Sequence, residues 1–381
     1  MIYLDNAATS WPKPKGVSDA MKRYLDEVGA PVNRSVYAAA QEAGATVLRL
    51  RERLRRYFGF PEDVSHVILT AGCTAAVNQA LCGTLKPGDH VLVSGMEHNA
   101  VMRPLTALSE QGVCFDRIPC DRDGNLVLSA VEAMIRPETA MLILCHASNV
   151  CGTVQDAEAV GKLCAAHGIA FVLDAAQSAG HIPVNFARFR LSALCVPAHK
   201  GLLGPSGLGA LLVTDTFARK MRPLILGGTG SMSDSESQPP YLPDRFESGT
   251  MNLPGIYGWE KAMEFLERTD VRPREEALTA RFLSALADAE GVRVCGTNNP
   301  KQQVGVISVD FPGKDNAEAA DRLEQEFGIL TRCGLHCAPA AHRTLGTFPQ
   351  GTVRFSVGYF NTEEEIDAAA AAVRTIGKER T

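Results

Sequence analysis

Six short apolar runs punctuate residues 67–213, and polar segments with a helical repeat lie between them. The runs are 67–70 (VILT), 90–94 (HVLVS), 141–145 (MLILC), 171–174 (FVLD), 193–196 (ALCV) and 209–213 (GALLV). Each reads as a strand, and segments 73–85, 99–111 and 156–168 read as helices. Strands alternating with helices predict a mostly parallel α/β sheet. From about residue 256 the pattern changes. Helical stretches at 256–269, 274–288, 315–327 and 362–376 surround fewer strand-like runs, 303–309 and 352–357. This predicts a smaller α+β C-terminal domain. The expected division is a large domain over 15–255 and a small one made of 1–14 and 256–381. Segment 227–245, rich in Gly, Ser and Pro, reads as a long ordered loop, a kind that is often functional.

Composition narrows the function classes. With 381 residues, 45% hydrophobic and 21% charged, the chain can bury a sizeable core. A net charge of -5 argues against nucleic acid or an anionic membrane as the main partner. The basic run Arg49–Arg56 carries leucines at 48, 50 and 54 and reads as an amphipathic helix with a solvated face. No apolar stretch reaches the ~18 residues of a membrane span. Met1–Asp5 lacks the basic and apolar regions of a signal peptide, so a cytoplasmic location is expected. The 11 cysteines are scattered with no Cys-x-x-Cys, which fits neither a disulfide framework nor a zinc site. Cys82, Cys145, Cys164 and Cys195 lie in apolar runs and are expected to be small buried residues.

Candidate chemistry collects at strand ends. His199-Lys200 closes one run and precedes the glycine-rich stretch 201–207. Asp174 closes another, and Gln177 follows. A lysine and an acid that each end a strand lie on the edge where parallel sheets bind ligands. The pair suits pyridoxal 5'-phosphate: the lysine forms a Schiff base, and the acid keeps the pyridine nitrogen protonated. Gly72-Cys73-Thr74 opens a helix, as a phosphate cup or, more plainly, as an N-cap. His98 follows HVLVS and either stacks on a flat ring or is structural. Asn149 follows MLILC, within reach of a ring hydroxyl. Together these sites are of the types that a flat phosphorylated ring needs.

A second group is C-terminal. Arg332-Cys333-Gly334-Leu335-His336-Cys337-Ala338-Pro339 reads as a loop. Histidine and arginine around Cys337 are features that favour a thiolate, and a buried cysteine near a turn is the alternative. Arg354, in a strand-like run, suits capture of a carboxylate if it points inward.

These residues resemble those of a known family. The chain is similar to class V aminotransferase-type, fold-type I pyridoxal-phosphate enzymes, and within them to cysteine desulfurases and selenocysteine lyases. The resemblance rests on Tyr3–Thr9, Met96–Asn99, Ser148–Thr153, Asp174–Ser178, His199–Gly201, Phe246–Thr250 and the Arg-x-Gly-x-His-Cys loop at 332–337. The last is similar to the short cysteine loop of group II desulfurases. The resemblance implies a mostly parallel seven-stranded sheet. It also implies that Lys200 holds pyridoxal phosphate, Asp174 pairs with its ring nitrogen and His98 stacks on the ring. Gln177 and Asn149 would contact the ring hydroxyl or the substrate, while Cys73, Thr74 and His199 would belong to the phosphate site. Thr250 would reach the phosphate of a neighbouring subunit in a homodimer with shared active sites. Arg354, with Arg332 and Asn149, would hold the substrate. Cys337 would take sulfur from L-cysteine as a persulfide, leave L-alanine, and pass the sulfur to an acceptor protein or a thiol.

Three departures stand out. Pro197 replaces the usual hydroxyl residue two positions before His199. Cys73 replaces a Thr or Ala. Cys333, four residues before Cys337, is expected to pair with or resolve it if the loop brings them together. The alternatives are a selenocysteine lyase, another lyase, epimerase or aminotransferase on the same scaffold, or a binding protein that kept the fold.

Overall fold

The computed structural model describes residues 1–32 and 35–379. Its thirteen strands among the described residues, in chain order, are β1 (Ile2–Tyr3), β2 (Val67–Thr70), β3 (His90–Ser94), β4 (Cys114–Ile118), β5 (Thr139–Cys145), β6 (Ala170–Asp174), β7 (Ala193–Pro197), β8 (Gly209–Val213), β9 (Arg293–Cys295), β10 (Val306–Asp310), β11 (Ile329–Leu330), β12 (Arg332–Gly334) and β13 (Thr352–Ser356). Seven of them form one sheet in the order β2-β8-β7-β6-β5-β3-β4. Only β8 runs against the others.

The apolar runs are continuous because both faces of this sheet are covered. Leu142, Leu144, Phe171, Leu173, Leu194 and Val196 pack into one core with the helices Ala38–Tyr57, Ala157–Ala166 and Leu253–Arg268. Their neighbours Met141, Ile143, Val172, Ala193 and Cys195 pack on the other face, under the helices Cys73–Thr84 and Asn99–Ser109. A strand's period of two thus splits one run between two cores.

A second, antiparallel sheet has the order β12-β13-β10-β9. Ile307, Val309, Val353 and Phe355 point from it toward the helices Arg272–Leu286, Asn316–Phe327 and Glu363–Lys378. The alternate residues Ser308, Arg354 and Ser356 point the other way and are also buried. Ser308 Oγ donates to Val150 O at 2.7 Å, which joins this sheet to the larger one. The helix Leu253–Arg268 packs its Trp259, Met263 and Leu266 into the large-sheet core, whereas Leu278 begins the packing of the smaller one. We propose that the small domain begins near residue 270 rather than at 256.

Two expectations need correction. The helix Ala38–Tyr57 does not leave its whole arginine run solvated. Arg51 is buried, pairs with Glu247 at 2.6 Å and donates to Val67 O. Cys333 lies on β12, opposite Val353, and packs on the small core. Its neighbour Arg332 is the one that reaches Cys337. Alternation along β12 aims the two side chains to opposite faces, so Cys333 is not placed to bridge or resolve Cys337. Segment 227–245 is tied by polar contacts within itself and to the residues just after it, with Gln238 Nε2 donating to Asp244 O at 3.0 Å and to Ser248 Oγ at 3.0 Å.

Candidate active site

Where the parallel strands end, their loops meet around a cavity of about 230 Å³. Gly72, Cys73 and Thr74 come from beyond β2, His98 from beyond β3, and Asn149 from beyond β5. Asp174 and Gln177 come from β6 and the turn after it, and Pro197, His199 and Lys200 from the end of β7. Residues from Gly72 to Lys200 are brought together because parallel strands place all their C-terminal ends on one edge.

Asp174 is 2% exposed. Its Oδ1 accepts from Ala176 N at 2.9 Å and from Cys73 Sγ at 3.4 Å. The Cys73 side chain therefore faces the carboxylate, while its backbone opens the helix Cys73–Thr84 at the cavity wall. Burial pushes its thiol well above the ordinary value, so it remains a donor. Cys145 and Cys195 sit in register with Asp174 on β5 and β7. Burial also lowers the Lys200 ammonium from its usual value.

His98 caps the helix Asn99–Ser109. Its Nδ1 accepts from Ala100 N at 3.0 Å, which leaves the proton on Nε2. Burial lowers its pKa to about 4. His199 is lowered to about 4 by burial and then by the neighbouring Lys200 charge. The His199 carbonyl accepts from Ser10 N at 2.9 Å and Lys13 Nζ at 3.0 Å, so the N-terminal segment straps down the backbone beside Lys200. Gln177 Nε2 donates to Ala7 O at 2.9 Å.

The close approach of the Gly72-Cys73 turn to β8 requires a glycine at 209. A Cβ there would lie 2.6 Å from the Gly72 carbonyl carbon and 2.9 Å from Cys73 N. Gly72 itself has φ 138°, a region that favours glycine.

Cys337 is exposed and stands outside the cavity lining. Its loop is tied to the rim at two points. Asn149 Nδ2 donates to His336 O at 2.6 Å, and Asn99 N donates to Cys337 O at 2.8 Å. Arg332 Nη2 lies 3.8 Å from Cys337 Sγ. His336 and Cys337 both have positive φ, 48° and 57°, a conformation these contacts hold in place. Arg354 is 1% exposed, pairs with Asp5 at 2.7 Å and donates to Asn149 O at 3.1 Å. Its pKa is lowered by burial and held up by Asp5.

Thr250 is not part of this cavity. It is exposed and lines a neighbouring one of about 450 Å³ with Leu224, Ile225, Phe246 and Met251. Both cavities touch Ala71 and Gly207. Sequence reasoning assigned no role to Asp5, Lys13 or Glu97. Asp5 and Glu97 lie inside quoted motifs, but only the fold shows what they touch.

The aminotransferase class-V family model matches residues 2–369. A probable cysteine desulfurase of Methanothermobacter thermautotrophicus is 30% identical over 98% of this chain and 94% of that protein. Cysteine desulfurase CsdA of Escherichia coli is 29% identical over 98% of this chain and 93% of its own length. The apo structure of a cysteine desulfurase from Thermococcus onnurineus NA1 matches with a TM-score of 0.92 at 30% identity, covering 99% of this chain and 94% of that one. Matched nearly end to end in sequence and in fold, the chain belongs to the aminotransferase class-V family, among its cysteine desulfurases.

Proposed function

We propose that this chain is a pyridoxal-phosphate-dependent cysteine desulfurase that releases L-alanine from L-cysteine and takes the sulfur onto Cys337. The observation that carries the reading is the junction at Asn149. Its side chain lines the Lys200–Asp174 cavity and also holds the loop of an exposed cysteine at the cavity's rim.

The cavity fits the cofactor. Lys200 offers an amine, Asp174 a buried carboxylate, and the helix Cys73–Thr84 an N-terminus with no side-chain cap. Three buried polar atoms, Asn149 Oδ1, Gln177 Oε1 and His199 Nδ1, have no partner among the described residues. Buried polar atoms are seldom left unpaired, and these lie on residues that line the cavity. Pro197 lines it without a hydroxyl, so a bound phosphate would have one side-chain donor fewer than the hydroxyl residue usual at this position in the family would give it. When bound, pyridoxal phosphate accepts the electron pair freed at the substrate's α-carbon.

The chain's own residues do the rest. Arg354 holds the substrate carboxylate, and Asn149 positions both the substrate and the cysteine loop. Lys200 carries the α-proton, since its lowered pKa leaves more of the neutral amine than an exposed lysine has. Cys337 Sγ attacks the substrate sulfur. The S–S bond forms as the Cβ–S bond breaks, and its electron pair stays with the three-carbon fragment. That fragment is protonated and leaves as L-alanine. A thiol or an acceptor protein then removes the outer sulfur from Cys337. Arg332 brings a positive charge to the sulfur that attacks.

The second cavity supports a homodimer in which Thr250 reaches the partner's phosphate site. Its wall is mostly apolar, and Ile225 on that wall is 72% exposed. A patch of this kind marks an interface.

The deciding experiment measures L-alanine from L-cysteine, with a reducing thiol present, for wild type and Cys337→Ala. Alanine from wild type and almost none from the variant is expected. Equal release from both would take Cys337 out of the mechanism and point to a lyase of the selenocysteine type.

A further inference from the structure

Arg354, the residue read above as the substrate-carboxylate anchor, already has a carboxylate. Asp5 Oδ1 accepts from its Nη2 at 2.7 Å, and Asn149 O accepts from Nη1 at 3.1 Å. Its Nε is buried without a partner among the described residues. Arg332 lies directly across the ladder from Arg354 and adds a second positive charge. Among the described residues, Asp5 is the only carboxylate in ion-pair contact with either arginine, so the pair keeps one net positive charge.

Apart from its ion pair with Arg354, Asp5 is held by its backbone. Its carbonyl accepts from Ala8 N at 3.0 Å and Tyr3 Oη at 3.2 Å. The flanking residues are fixed as well, with Leu4 N donating to Leu330 O at 2.9 Å and Asn6 N to Ser356 O at 3.4 Å. The carboxylate itself is 21% exposed and has Arg354 as its only ion-pair partner among the described residues.

We propose that Asp5 is an affinity-setting residue, an internal carboxylate that takes part of the Arg354 site and holds substrate-carboxylate binding at moderate strength. The inference rests on the functional reading above. The physical reason is compensation. A buried guanidinium with its partner removed carries an uncompensated charge, and an incoming carboxylate then gains what Asp5 used to supply. With Asp5 present, the substrate gains only the remainder.

The test uses Asp5→Asn, folded and loaded with pyridoxal phosphate, beside wild type. L-Alanine and cysteamine (2-aminoethanethiol) are titrated, with binding followed by the cofactor's absorbance, so turnover is not needed. L-Alanine carries the carboxylate and cysteamine lacks it. The expected result is L-alanine binding roughly tenfold tighter in the variant, with cysteamine unchanged and the KM for L-cysteine falling in parallel. L-Alanine binding that is unchanged or weaker, or cysteamine tightening equally, overturns the proposal. If Asp5→Asn does not accumulate folded, Asp5→Glu replaces it. Moving the charge by one methylene must then shift L-alanine binding and leave cysteamine alone, and no shift overturns the proposal. A wild type that binds L-alanine but releases none from L-cysteine defeats the desulfurase reading alone. A wild type that takes up no pyridoxal phosphate defeats both.

Discussion

Glu97 is fully buried between the ends of β3 and β5. Its Oε1 accepts from Ser94 Oγ at 2.6 Å and from Cys145 N at 2.9 Å. Oε2 has no partner among the described residues. Burial raises its pKa to about 8, against an ordinary value of 4.5. The folded protein thus holds a proton that the unfolded chain releases. This stability is full below about pH 4.5 and is lost as pH rises through about 8. The loss at high pH is on the order of a few kcal/mol. Glu97→Gln, which keeps one oxygen acceptor and cannot ionise, should flatten that fall. Urea melts of both proteins at pH 6 and pH 9 check it, and parallel losses in the two would remove Glu97 as the cause. Lys200, Asp174 and His98 could be marked in the sequence because each follows a strand-like run. The environment of Glu97 could not be, because it depends on Cys145, 48 positions away.

At the scale of elements, runs buried on both faces were legible, and β2, β3 and β5 to β8 fall on them. β4, Cys-Phe-Asp-Arg-Ile, was missed. It lies at the sheet edge with Asp116 paired to Arg136, so its pattern is polar. β12 reads as loop in the sequence because Gly334 sits in it, and it is a strand only through its pairing with β13. That pairing carries a prediction. Cys333→Ala should leave alanine release intact and cost about 1 kcal/mol of stability for the packing it loses. A disulfide between Cys333 and Cys337 in oxidised protein, found by peptide mass mapping, would contradict the geometry. The same alternation on β13 turns Arg354 inward while Val353 and Phe355 enter the small core.

For the whole molecule, the proposed homodimer is the main expectation. Leu224, Ile225 and Leu226 are 41%, 72% and 69% exposed, and the first two share a cavity with Thr250. Ile225→Asp combined with Leu226→Asp should give a monomer by light scattering and lower the affinity for pyridoxal phosphate. A double variant that stays dimeric would place the interface elsewhere. Among the described residues, no helix is long and apolar enough to cross a membrane.

The sequence by itself determined the class of fold, because the two-residue and 3.6-residue periods are local properties of the chain. It also marked the candidate residues with reactive chemistry, because their motifs are short and follow strand-like runs. Only the tertiary structure decided what those residues meet. It set Cys73 against Asp174, turned Cys333 away from Cys337, buried Arg51 on Glu247 and gave Arg354 a carboxylate of its own. Each of these contacts joins positions far apart in the chain or depends on which face of a strand is covered. Such contacts are set by packing and desolvation, which spacing along the sequence does not encode.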